Sequence, residues 1–217
     1  MSASLDNLTI EILKNAQKIE GLTKDSSFSF TESTSLWSSV DPIQIHHNLE
    51  GNVVIQSFDS IFVSADITLN HVILMAPLIR FEKGFVGCVQ AIADKQINCE
   101  EGVKLNYPSA LILTEKKQGR ADLRSGIFLS KNVRVLGGIL LRSEEQDFRN
   151  PVYLGIDQAV VGGLVYNQGE TELKGKIIGS LYTDKLALKI GGGQYSGYLF
   201  DATLSTKQLP DDFVMPN

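Results

Sequence analysis

The chain has 217 residues, enough for one sizeable domain or two small ones, and 43% apolar with 21% charged residues describes a folded rather than a disordered protein. A net charge of −5, spread thinly, sets it apart from duplex nucleic-acid binders, which carry a basic face. Its two cysteines, Cys88 and Cys99, exclude a disulfide-dense scaffold and a four-cysteine zinc site; they read either as buried free thiols or as one pair.

From the N-terminus, Leu5, Leu8, Ile12, Ala16 and Ile19 fall on one stripe at helical spacing, with Ser4 placed as N-cap and Gly21 as the left-handed stop. An amphipathic helix over residues 5–20 is therefore predicted. The first residues hold neither the basic region nor the continuous apolar core of a signal peptide, and no run of 18 apolar residues reads as a membrane span. This leaves open a membrane anchor missing from the chain. Residues 24–42 are rich in Ser and Thr and read as an irregular connection anchored on the core by Trp37. Residues 1–48 are thus expected to form a helix and a capping segment, 49–205 a repeat domain, and 206–217 a C-terminal cap or tail.

The repeat domain announces itself through glycine and asparagine, the residues that tolerate positive φ most cheaply. Asn70, Gly87, Asn106, Gly137, Gly162, Gly179 and Gly197 each precede a short apolar run, at intervals of 17, 19, 31, 25, 17 and 18 residues. Four segments share one shape: IFVSADITL at 61–69, IRFEKGFVG at 79–87, INCEEGVKL at 97–105 and IFLSKNVRV at 127–135. Two alternating apolar residues, a three-residue turn and an apolar pair recur, and the turn ends in Asp66, Gly84, Gly102 and Asn132, residues suited to a tight corner. Stacking such coils buries a column that one coil alone leaves exposed. The absence of Asn-Gly and Asp-Gly hairpin dipeptides weighs against a sandwich, and no helical period spans 50–205. The fold class read from this is all-β, a right-handed parallel β-helix of about seven coils.

The two long intervals locate insertions at residues 115–125 and 143–151, which leave from the same point of adjacent coils. The first is mainly basic, with Lys116, Lys117, Arg120 and Arg124; the second is mainly acidic, with Glu144, Glu145 and Asp147, and also carries Arg149. Loops on one edge of a solenoid often form its binding surface, so these residues are the candidate partner site, although the two loops also suffice to neutralise each other. Asp41, His46, His47 and Glu50 do not converge as metal ligands, since adjacent histidines on an extended chain point to opposite sides. Gly191, Gly192 and Gly193 lack the lysine and following helix of a phosphate loop and read as a tight corner. Of the outward carboxylates Glu82, Glu100, Glu101, Asp184 and Asp201, stacked coils could bring Glu82 and Glu100 to a spacing suited to glycoside hydrolysis, and chance stacking of surface acids explains it as well. No catalytic, metal or cofactor residue is assigned.

The segments VVGGLVYN at 160–167 and LKGKIIGSL at 173–181 resemble bactofilin-like, polymer-forming β-helix domains in their glycine spacing and aliphatic positions. The likeness covers roughly residues 126–200, and the chain is also similar to uncharacterised bacterial envelope proteins that carry a β-helix behind an N-terminal anchor. The two charged loops, the preceding helix and the tyrosines Tyr166, Tyr182, Tyr195 and Tyr198 set it apart. The resemblance implies a structural protein of the bacterial cell envelope, with a cytoplasmic location as alternative. It further implies either a monomer that binds a protein or a surface glycan, or end-to-end self-assembly. The expected function is a non-catalytic structural or binding module. The alternatives are a self-assembling polymer and a polysaccharide-active enzyme.

Overall fold

In the computed structural model, which describes residues 13–116, 124–144, 151–199 and 201–206, the strands pair almost entirely in parallel. The pairings sort into three ladders, so each coil has three faces, and the fold is a parallel β-helix. One ladder, here the isoleucine face, joins Ile43–Ile45, Ser60–Val63, Leu78–Phe81, Gln96–Cys99, Gly126–Leu129 and the start of Tyr153–Ile190. The four repeats lie in the register their sequences predict: Ile61 over Ile79, Ile79 over Ile97, Ile97 over Ile127. Longer strands, among them Thr68–Met75, Val86–Ala93, Lys104–Glu115 and Arg134–Ser143, bend once and supply both remaining faces. Their first halves make a narrow face and their second halves a broad face.

Alternation along each strand sends one side chain inward and the next outward. Inward columns such as Ile43, Ile61, Ile79, Ile97, Ile127 and Leu154 are at most 3% exposed and form one continuous core. Burial of this depth makes truncation of any member costly, about 2–5 kcal/mol for an Ile-to-Ala change.

Two corners set the coil. After the isoleucine face, the turn at Glu82 closes with Phe85 N donating to Glu82 O, and Gly84 takes φ +85°. Gly102 and Asn132 repeat it with positive φ, as the third turn residue of this class requires. Gly84 N donates to Glu101 O, Gly102 N to Lys131 O and Asn132 N to Gln158 O, so the corners are stitched from coil to coil. Asp66 does not join this set, whereas Gln158, with φ +51°, continues it.

The corner between the narrow and broad faces corrects the first glycine ladder. Gly137 and Gly179 hold the left-handed positions, but His71 takes the place expected of Asn70 and Gly163 that of Gly162. Gly87 and Asn106 have negative φ, whereas Gly197 takes φ +79° but has no backbone within 4 Å of where a Cβ would stand. The reason is contact with the backbone below. A Cβ at Gly163 would stand 1.8 Å from Gly137 O, and one at Gly179 would stand 2.0 Å from Gly163 O.

The N-terminus differs from its expected form. Residues 13–15 are helical, but Gln17–Ile19 is a strand paired in parallel with Ser35–Ser39. The end rung exposes unpaired backbone groups; Gln17 N reaches Thr34 O at 2.8 Å, and Ile19 lies over Trp37. Edge pairing here overrides the helical stripe, while residues 5–12 of the expected helix lie outside the described residues. Strands Ser26–Phe28, Ser35–Ser39 and Ile43–Ile45 likewise put coils inside the segment expected to be an irregular cap. At the far end Thr203–Ser205 pairs with residues 176–178, and residues 207–217 are not described. Gly191 and Gly192, with φ +59° and +82°, turn a hairpin that pairs Gly193–Ser196 antiparallel to the end of Tyr153–Ile190.

Replacing Gly163 with Ala should cost at least about 3 kcal/mol, from φ +147° and the clash with Gly137 O. Gly138→Ala, where nothing lies within 4 Å, should be nearly neutral. Urea denaturation of both variants checks the contrast.

Candidate functional site

The corner between the broad and isoleucine faces is where the chain departs from its regular coil. Glu115 pairs with Ser143 in the ladder, so both charged loops leave from equivalent points of neighbouring coils. Their stems are joined: Glu144 N donates to Glu115 O, Ser143 Oγ to Glu115 Oε2 at 2.8 Å and Arg142 Nε to Thr114 Oγ1 at 3.0 Å. Lys116 and Glu144 are exposed on these stems. Lys117, Arg120, Glu145, Asp147 and Arg149 lie outside the described residues.

Arg124 closes the first loop and turns inward. Its Nη2 donates to Glu170 Oε1 at 2.9 Å, and its guanidinium lies 3.9 Å from the centroid of the Tyr153 ring. Tyr153 lies along the outer surface because residue 155 is glycine; a Cβ there would meet the ring at 2.9 Å. The Tyr153 hydroxyl donates to Glu172 Oε2 at 2.5 Å, Lys174 pairs with Glu172 at 2.6 Å and Lys185 with Glu170 at 3.6 Å. The hairpin joins in: Gln194 Nε2 donates to Glu170 Oε2 and Lys189 Nζ sits 4.8 Å from the Tyr153 centroid. Glu170 and Glu172 are 3% and 8% exposed.

Burial pushes the Glu170 carboxyl up, but the Arg124 hydrogen bond and charge, with Lys185 and Lys189, more than offset it and hold it below the usual carboxylate range. Glu172 is likewise raised by burial and lowered further by Lys174, Tyr153 and Lys189. Burial and the bond to Glu172 push the Tyr153 hydroxyl well above its ordinary value. This cluster is a clamp joining a loop, a coil and the hairpin. Sequence reading missed it because Glu170, Thr171, Glu172 and Leu173 alternate like any half-exposed strand; the only signal was the lysines of 174–189.

Three further arrangements lie elsewhere. A cleft of about 150 Å³ is lined by Phe30, Asn52, His71, Cys88 and Gln90, with Cys88 Sγ 4.0 Å from His71 Nδ1. Cys88 and Cys99 are both free and buried, and burial pushes the Cys99 thiol far up. Glu82 and Glu100 do stack, but Arg80 pairs with Glu100 and Lys83 N donates to it at 3.1 Å. His46 binds Ser64 and Gln44, whereas His47 approaches Asp25 at 4.0 Å. Among the described residues no three His, Cys, Asp or Glu side chains gather as metal ligands.

Because Glu170 and Glu172 have depressed pKa values in the fold, their stabilisation is full above the unfolded value of about 4.3 and is lost as pH falls through the lower folded value. Below about pH 4 the hairpin should therefore open before the isoleucine face does. Amide exchange, corrected for intrinsic rate, reads that order directly. Glu170→Ala should cost about 1.5–3 kcal/mol in a denaturation experiment at neutral pH. Compared with known proteins, the chain matches no family model, no curated protein and no solved structure.

Proposed function

We propose that this chain is a non-catalytic β-helical scaffold of a bacterial cell envelope, and that it binds a partner on the broad face together with the charged loop corner. The observation that carries this reading is the outward surface of the broad face. Met75, Ile92, Ile112, Leu140 and Tyr166 align there rung over rung, beside a second row of Ile73, Gln90, Ala110, Gly138 and Leu164. Neither row holds a charge. The isoleucine face, by contrast, alternates Gln44, Phe62, Arg80, Asn98 and Phe128 outward.

Rungs about 4.8 Å apart and rows about 7 Å apart give the two uncharged rows a flat footprint of about 300 Å². The loop stems at Thr114 to Lys116 and Arg142 to Glu144 border it, giving an apolar centre with a charged rim. The clamp supports a structural rather than catalytic role for the buried acids, since each carboxylate is held by cations of the same chain.

A photoreactive residue placed at Ile112 should crosslink to a partner in cells that make the protein, and one at Asn98 should not. Equal labelling from both positions, or none from Ile112, overturns the assignment of the surface.

A further inference from the structure

We infer that the broad face receives the broad face of a second copy, in a two-fold arrangement whose axis runs along the strands between the Ile112 and Leu140 rungs. The inference rests on the reading of that face as the partner surface and goes on to name the partner. A closed two-fold interface must be self-complementary, residue against residue. The apolar row meets that condition about the chosen line. Leu140, Tyr166 and Tyr182 each sit three residues beyond a corner glycine, Gly137, Gly163 or Gly179, and these glycines stack. The row therefore runs Met75, Ile92, Ile112, Leu140, Tyr166, Tyr182, and its midpoint falls between Ile112 and Leu140. Rotation about that line sets Ile112 against Leu140, Ile92 against Tyr166 and Met75 against Tyr182 of the other copy. Aliphatic side chains then meet tyrosines that are 38% and 59% exposed in the single chain.

The charges obey the same symmetry. Glu115 and Ser143 are ladder partners, so Lys116 and Glu144 stand one residue on, on the two rungs that flank the axis. With the axis parallel to the strands, the loop corners of both copies lie on the same edge, and Lys116 of each faces Glu144 of the other. Parallel copies would place like charges on opposite edges and gain nothing from them. The apolar rows supply about 300 Å² of the roughly 800 Å² per partner that a standard stable complex buries, so the association is a weak one.

Sedimentation velocity of the full chain across the micromolar range, with melting temperature as the check on folding, tests this. The wild type should shift from monomer to dimer as concentration rises. Ile112→Asp should abolish the dimer, and Lys116→Glu should weaken it about tenfold. Adding Glu144→Lys to Lys116→Glu should restore the affinity, as reciprocal pairing across the two-fold requires. A wild type that stays monomeric, a dimer indifferent to Ile112→Asp, or a charge swap that fails to restore association overturns the inference. If the chain is monomeric while Ile112 still crosslinks to a different protein, the partner surface stands and only its self-pairing falls. A monomer with no crosslink from Ile112 removes both.

Discussion

The later coils close where the backbone turns within touching distance of the carbonyl beneath it. At Gly137, Gly163 and Gly179 that carbonyl stands about 2 Å from where a side chain would begin, so the corner has room for hydrogen alone. Once the corner is set, the rest follows. Ladder bonds on the broad face fall into register, inward side chains land on their counterparts, and a column no single coil can bury becomes continuous. The opposite corner does the same with less force. There Gly84 and Gly102 have open space around them, and Asn132 and Gln158 accept the positive φ without steric demand.

That difference decides what was legible in the chain. The pairing of Ile61, Ile79, Ile97 and Ile127 could be read directly, because core alternation and turn chemistry are both local to each repeat. The glycine corner was read one residue early at Asn70 and at Gly162; at Gly162 the carbonyl below, and not the residue type alone, selects which of two neighbours turns. Ile19 was read as part of a helical stripe because edge pairing with Trp37's strand leaves no trace in spacing. The Glu170 and Glu172 clamp was invisible for a stronger reason: what buries those acids is a hairpin that arrives about twenty residues later, carrying Lys189 and Gln194. Of the candidate partner residues, Arg124 proved to belong to this clamp, while Lys116 and Glu144 remained on the outer edge.

The clamp and the apolar broad face divide the surface between them. Charge on the isoleucine side is consumed inside the chain, where Arg124, Lys174 and Lys185 each hold a carboxylate in place. Hydrophobic surface on the broad side has no such internal partner among the aligned rows. A solenoid is well suited to this separation, because the face a residue occupies depends on its position in the coil and not on which coil it belongs to.

The interior also changes character along its length. At Ala93, Leu113 and Leu141 one inward column is hydrocarbon; one rung on it becomes Asn167, with Thr171 and Thr183 bonded behind it. Asn167 Oδ1 finds no partner there. One inward column thus turns polar toward the hairpin, while Val165, Leu173 and Ile177 keep its neighbours apolar. The stack therefore has a direction in its interior chemistry that its repeating backbone alone does not give it.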